Sequence, residues 1–131
     1  MLDINYNGVT LAYIGDAVIE LFVREALISS GITDTGRLSA AAQKIVCAKA
    51  QSEIAEILLP LLSEEEMAAY KLGRNHHVSG KPKHASVAQY SRATGVEAIF
   101  GYLHLTNAQA RAKELFDIAC KDRIAALKEN I

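Results

Sequence analysis

The sequence contains few of the residues that form disulfides, large aromatic contacts or rigid turns: its 131 residues include no tryptophan, two cysteines and two prolines. The thiols, Cys47 and Cys120, lie far apart in alanine-rich, helix-like sequence, and no Cys-x-x-Cys pair is present. A cysteine-based zinc cluster is therefore excluded, and we expect reduced thiols. No apolar run approaches the ~20 residues that span a bilayer, and no secretion signal is recognisable. These absences predict a cytoplasmic protein without membrane contact.

Familiar nucleophile and nucleotide-binding motifs are missing as well. There is no Gly-x-Ser-x-Gly, no Walker-type loop and no Cys/His nucleophile pattern, so acyl transfer and nucleotide-triphosphate chemistry lack support. A formal net charge of −1 gives no global sign of a nucleic-acid partner. Half of the residues are hydrophobic, which at this length suits one domain, residues 1–131, with a real core.

What is present is helical periodicity, because alanine, leucine and isoleucine recur mainly at helical spacing. This pattern predicts an all-α fold. Ser63 and Glu66 have the spacing of a capping box, and Asn107 is the predicted N-cap of the last helix. The predicted helices are about 8–29, 37–50, 51–62, 64–73, 85–105 and one that follows Asn107. Residues 73–84, with two glycines and a proline, are a predicted exposed loop.

The predicted core follows the apolar stripes of these helices. On the first helix the stripe begins at Leu11, and Ile19 and Val23 give it a second apolar face, as expected of a helix buried on two sides. The core candidates are Leu11, Ile14, Val18, Leu21, Phe22, Leu38, Ile45, Val46, Ile54, Ile57, Leu58, Leu61, Ala110, Leu115, Ile118, Ala119 and Ile124.

Two acids, Asp16 and Glu97, interrupt apolar helical stretches at 11–23 and 93–103. Taking a carboxylate out of water costs several kcal/mol without compensation, so the two suggest a shared partner such as Mg²⁺. Gly15 and Gly101 are unfavourable inside helices, and a close crossing of the two helices there would bring the acids together. The plainer alternatives are a solvated Asp16 and a buried carboxylate hydrogen-bonded to Tyr13, Tyr90 or Tyr102. Glu20 is either a further ligand or, as we expect, a salt-bridge partner of Arg24.

A basic segment is the second informative feature, because no acid lies between Glu66 and Glu97. Such a segment suits phosphate backbones, although a merely solvated charged face is the alternative. Histidines in a Gly/Pro-rich loop do not promise the fixed geometry of a metal site, and contact with phosphate or ribose is more plausible. The basic residues of the segment are Lys71, Arg74, Lys81, Lys83 and Arg92, accompanied by Asn75, His76, His77 and His84.

Residues 11–20, Leu-Ala-Tyr-Ile-Gly-Asp-Ala-Val-Ile-Glu, and 90–105, with Glu-Ala-Ile-Phe-Gly, resemble the two metal-binding segments of the ribonuclease III catalytic domain. The Gly-Arg-Asn loop and the short length resemble the Mini-ribonuclease III group, which lacks the RNA-binding domain of larger relatives. The resemblance covers essentially the whole chain. It implies an all-α ribonuclease III fold, a homodimer, and Mg²⁺-dependent cleavage of double-stranded RNA in maturation of large-subunit (23S) ribosomal RNA.

By this resemblance Asp16 and Glu97 are the catalytic, metal-binding acids. Lys71, Arg74, Asn75, His76, Lys81, Lys83 and His84 are the expected RNA contacts. Larger relatives carry further carboxylates where this chain has Val9, Ala12 and Thr94, so the number of metals is open, as is an accessory large-subunit ribosomal protein. Two rival functions are a non-catalytic double-stranded-RNA-binding protein that retains the fold and a helical dimerisation module.

Overall fold

Six α-helices and one short 3-10 turn make up the described part of the chain, residues 6–76 and 86–129 of a computed structural model. The all-α prediction is confirmed. The elements are α1 (Gly8–Ile28), α2 (Thr35–Val46), α3 (Ala48–Leu58), the 3-10 turn (Leu59–Leu61), α4 (Glu64–Arg74), α5 (Val87–Leu105) and α6 (Gln109–Glu129). None of the helices in these two ranges is long and apolar enough to cross a bilayer.

Helix starts are set by local side-chain caps. Ser63 accepts a hydrogen bond from the Glu66 N–H while the Glu66 carboxylate accepts one from the Ser63 N–H, which confirms the predicted capping box. Ser86 and Gln89 form a second box at the start of α5. Of the predicted loop 73–84, Gly73 and Arg74 still belong to α4, and positions 77–84 lie outside the described residues.

The prediction that Asn107 caps the last helix is wrong. Asn107 has a φ of +61°, and its N–H donates to the carbonyl of His104 while the Ala108 N–H donates to the carbonyl of Leu103. This is the six-to-one and five-to-two pattern of a Schellman motif, in which asparagine tolerates the left-handed position. Asn107 therefore ends α5.

The buried face of α1 differs from the predicted stripe. Leu11 is fully buried as expected, but Ile19 and Val23 are buried while Leu21 is 58% exposed. The periodicity of α1 fits two apolar faces almost equally well. The neighbouring helices pack against the face that carries Ile19 and Val23. Ala110, Ile57, Leu61 and Ile118 were also predicted to be core and are exposed.

Helix α5 is the centre of the fold, and α1, α3 and α4 pack around it. Its Val96, Ala98 and Ile99 are completely buried. Both thiols are free; Cys120 is buried on α6, whereas Cys47 is half-buried at the junction of α2 and α3.

The N-terminal end of α4 is tied to α6 by one arginine. Arg111 donates to both carboxylate oxygens of the buried Glu66, at 2.8 and 2.9 Å, and to the carbonyl of Leu61 at 2.8 Å. These bonds hold the pKa of Glu66 below its usual value. The bidentate geometry fixes the start of α4, which runs from there toward α1 and α5.

Candidate active site

Helices α1 and α5 cross in backbone contact at two glycines. A Cβ at Gly15 would lie 1.6 Å from the carbonyl oxygen of Glu97, and a Cβ at Gly101 would lie 1.9 Å from the carbonyl oxygen of Leu11. Any side chain at either position would push the helices apart. The predicted crossing is therefore present, and it sets Asp16 beside Glu97.

Asp16 lies close enough to Glu97 to perturb its titration. Burial first, and then the Asp16 charge and its hydrogen bond, raise the pKa of Glu97 to about 8. The cause is that a partly desolvated carboxylate next to a second one resists ionisation. With a pKa of about 8, the Glu97 carboxyl is mostly protonated at neutral pH when no cation is bound.

The two simpler alternatives were a solvated Asp16 and a carboxylate hydrogen-bonded to a tyrosine, and each is observed in part. Asp16 is exposed, as a solvated acid would be, but its neighbour is another carboxylate and not open solvent alone. Tyr102 donates its hydroxyl to Glu65 at 2.8 Å, and Tyr13 is 80% exposed. Glu20 pairs with Arg24 at 3.2 Å, as expected.

The three positions where the resemblance leads us to expect further carboxylates lie on the same two helices as this pair. Ala12 lies one turn before Asp16 and is buried, and Val9 lies near the start of α1. Thr94 lies one turn before Glu97 and donates its hydroxyl to the carbonyl of Tyr90 at 3.0 Å. Within the described residues no group of three or more His, Cys, Asp or Glu side chains could hold a metal.

Two carboxylates nevertheless fit a magnesium ion. Mg²⁺ is commonly held by one or two carboxylates, with waters and substrate phosphate oxygens completing its shell. The raised pKa of Glu97 reflects burial first and then repulsion by Asp16, and a divalent cation would relieve that repulsion. The residues present can therefore hold such an ion, with few protein ligands.

Two parts of the basic segment are described. Arg92 is exposed on α5, and Lys71, Arg74, Asn75 and His76 are all exposed at the C-terminal end of α4. This end is held near the site because Gly73 packs against the carbonyl of Thr94, with its Cβ position 2.6 Å from that oxygen. The other predicted RNA contacts, Lys81, Lys83 and His84, lie outside the described residues.

Sequence reasoning missed an exposed apolar stripe on α1. Val9, Tyr13, Ala17 and Leu21 follow one another at four-residue spacing, and all four are exposed. The spacing itself was a readable signal. The core prediction for Leu21 rests on the rule that apolar residues at helical spacing are usually buried, and this residue is an exception.

The sequence matches the family described as Ribonuclease III domain over residues 9–108. The fold is similar to an X-ray crystal structure of a protein from Fusobacterium nucleatum, with a TM-score of 0.83 at 30% sequence identity. That similarity covers 91% of this chain and 95% of that chain. The chain therefore belongs to the ribonuclease III family.

Within that family the chain is similar to proteins named Mini-ribonuclease 3. The protein from Streptococcus pneumoniae is 42% identical over 118 residues, which cover 88% of this chain and 92% of that protein. The protein from Enterococcus faecalis is 42% identical over 117 residues, covering 88% and 89%. The resemblance to the Mini-ribonuclease III group is thereby confirmed.

Proposed function

We propose that this protein is a metal-dependent endoribonuclease that cleaves double-stranded RNA, acting in maturation of large-subunit ribosomal RNA. The observation that carries the proposal is the meeting of Asp16 and Glu97 where α1 and α5 cross at Gly15 and Gly101. Membership of the ribonuclease III family supports the reaction class, and the names of the similar proteins support the group.

In this mechanism Asp16 and Glu97 hold a Mg²⁺ ion. When bound, such an ion activates water and neutralises charge at the scissile phosphate. Glu97 must release its carboxyl proton for the pair to bind a cation, and the glycine crossing keeps both carboxylates at a fixed separation. With so few anionic ligands, affinity for Mg²⁺ should be poor in the free protein and should rise when RNA is bound. Tight, RNA-independent binding in calorimetry would contradict this.

The RNA is gripped by the basic segment. Lys71, Arg74, Asn75 and His76 present donors at the end of α4, and we assign the same role to Lys81, Lys83 and His84. A-form RNA is recognised mainly through shape, phosphates and 2′-hydroxyls, for which such side chains are suited. Replacing Lys81 and Lys83 with alanine should weaken binding and flatten its dependence on salt.

The protein acts as a homodimer, with each subunit cleaving one strand. The exposed stripe of Val9, Tyr13 and Leu21 supports this, because a contiguous apolar surface on a soluble domain marks an interaction site. Replacing Tyr13 and Leu21 together with alanine should halve the mass measured by light scattering. The control is Ile118→Ala on α6, also exposed, which should leave the mass unchanged. A double variant with the wild-type mass would remove the stripe from the interface.

The decisive experiment is cleavage of duplex RNA by wild-type protein and Asp16→Asn, with and without Mg²⁺. We expect cleavage only by the wild type with the metal, and retained RNA binding by Asp16→Asn. Asp122→Asn, at an exposed position on α6, is the matched control and should cleave normally. Substantial cleavage by Asp16→Asn would remove this residue from the mechanism.

A second candidate function is double-stranded-RNA binding without catalysis. It is favoured by one observation, namely that the described residues offer two carboxylates rather than a cluster of three or more ligands. A wild-type protein that shifts duplex RNA in a gel but never cleaves it, with any divalent metal, would establish this alternative.

A further inference from the structure

A second group of polar side chains lies where α3 and α4 each pack against α5, apart from the two carboxylates. Tyr70 of α4 is 2% exposed, and its ring packs against Gly95 of α5, where a Cβ would lie 2.6 Å from the ring. The guanidinium of Arg74 lies over the same ring, 5.7 Å from its centroid. Arg74 also donates through Nε to the amide oxygen of Asn75 at 3.1 Å. Ring and amide together hold Arg74 at this junction.

Arg92 reaches the same junction from α5. Its guanidinium lies 3.5 Å from the hydroxyl of Ser52 and 3.9 Å from the carboxylate of Glu56, both on α3. Both distances are at the long end for such contacts. The side chains of Arg92 and Glu56 are 46% and 75% exposed, so this ion pair is weak and open to exchange.

Both guanidinium groups act on the Tyr70 hydroxyl. Burial raises the pKa of Tyr70, and the charges of Arg74 and Arg92 each oppose that rise. Within residues 6–76 and 86–129 no carboxylate forms an ion pair with Arg74, since its contacts are a ring and a neutral amide. The junction therefore carries two exposed cations beside a buried tyrosine, with one loosely held acid at its edge.

We propose that Arg74, Arg92 and the Tyr70 hydroxyl form a binding site for a phosphate diester of the RNA strand. Guanidinium groups match phosphate oxygens with paired donors, and a phenol hydroxyl supplies a third donor. The inference rests on the proposed function, because the ligand is the backbone of the same RNA.

The phosphate at this site is not the scissile one. Arg92 precedes Glu97 by five residues, which is about 7.5 Å along the axis of α5 and roughly 140° around it. The site therefore holds the duplex at a distance from the reaction and fixes its position on the protein.

The test measures affinity for duplex RNA across a salt series, in inactive protein carrying Asp16→Asn. Arg92→Ala should weaken binding about tenfold at low salt and reduce the slope of log affinity against log salt by about one. Tyr70→Phe keeps the ring and its packing, so it should weaken binding several-fold with an unchanged slope, since no charge is lost. Glu56→Gln removes the competing acid and should tighten binding about two- to threefold.

The matched controls are an arginine of α6 and a glutamate of α3 that form an ion pair of their own. Arg123 of α6 pairs with Glu53 of α3 at 2.8 Å, one turn before Glu56, so Arg123→Ala and Glu53→Gln make the same charge changes away from the junction. Both controls should leave affinity and slope at the wild-type values. Thermal unfolding of every variant checks that the fold is retained.

The outcomes separate this inference from the proposed function. If the wild type binds and cleaves duplex RNA but Arg92→Ala behaves like Arg123→Ala, the inference is overturned and the proposed function stands. If the wild type does not bind duplex RNA, both fall. A parallel series with inorganic phosphate gives the third outcome: loss of phosphate binding in Arg92→Ala, with RNA affinity unchanged, would identify a free-anion site and overturn the RNA contact.

Discussion

Replacing Gly15 with alanine tests the helix crossing on which the site depends. The new Cβ would lie 1.6 Å from the Glu97 carbonyl oxygen, where ordinary contact begins at 3.4 Å. The helices must therefore separate by about 1.8 Å, or one of them must bend. Because the opposing atom belongs to the backbone and not to a flexible side chain, rotamer changes cannot relieve the clash.

The cost of this substitution has two opposing terms. Overpacking a core typically costs about 1–3 kcal/mol, and we expect the upper end or beyond for a backbone clash. Alanine gains about 0.5–1 kcal/mol over glycine inside a helix. The net loss of unfolding free energy should be about 2 kcal/mol or more, which lowers the melting temperature by roughly 8 °C in a chain of this size.

Gly36→Ala is the matched control, because the nearest atom to its Cβ position is a side-chain oxygen of Asp34 at 3.6 Å. This variant should be neutral or slightly stabilising. Thermal and urea unfolding followed by circular dichroism measure both proteins, and duplex-RNA cleavage reports the spacing of the carboxylates. A Gly15→Ala protein with the melting temperature and activity of the wild type would refute the close crossing.

Three further predictions concern the charged groups. Asp16→Asn should lower the pKa of Glu97 from about 8 but leave it above the usual value, since burial is the largest cause of the raised pKa. NMR titration of the carboxyl groups measures this pKa. An unchanged pKa would show that the two acids do not interact. In metal-free protein Glu97 binds its proton more tightly when folded, so unfolding free energy should fall as pH rises from about 4.5 to about 8, and saturating Mg²⁺ should restore part of it at the upper end. Equal urea midpoints at pH 5.5 and 8.5 without metal would contradict this. Arg111→Ala leaves the buried carboxylate of Glu66 without a cationic partner and should cost about 3 kcal/mol in urea unfolding, whereas Arg123→Ala should change little. Equal losses in the two variants would contradict a special role for Arg111.

Local features of the fold were predictable from sequence. The Ser63 capping box and the bounds of α1 depend on residues a few positions apart, and they were predicted correctly. The face that α1 buries depends on its partners, and periodicity alone could not choose between Leu21 and Ile19. Asn107 was misread for a similar reason, since asparagine serves both helix starts and left-handed helix ends.

The candidate site was predictable in its residues but not in its geometry. Asp16 and Glu97 were conspicuous because acids are costly in apolar helices, and the nearby glycines suggested how they could meet. The crossing itself depends on the packing of whole helices around α5. The junction at Tyr70 joins residues of three helices, and no local pattern in the sequence connects Ser52 with Arg92.

Through the Arg111 contacts, α6 supports the start of α4, although α6 carries none of the proposed catalytic or RNA-binding residues. A chain that ends before Arg111 would lose the hydrogen bonds that hold the first turn of α4. The C-terminal end of α4, which carries Lys71 and Arg74, would then be less firmly positioned. Removing residues 111–131, about one sixth of the chain, would therefore leave both acids in the protein but remove the support of the helix that we propose presents RNA to them.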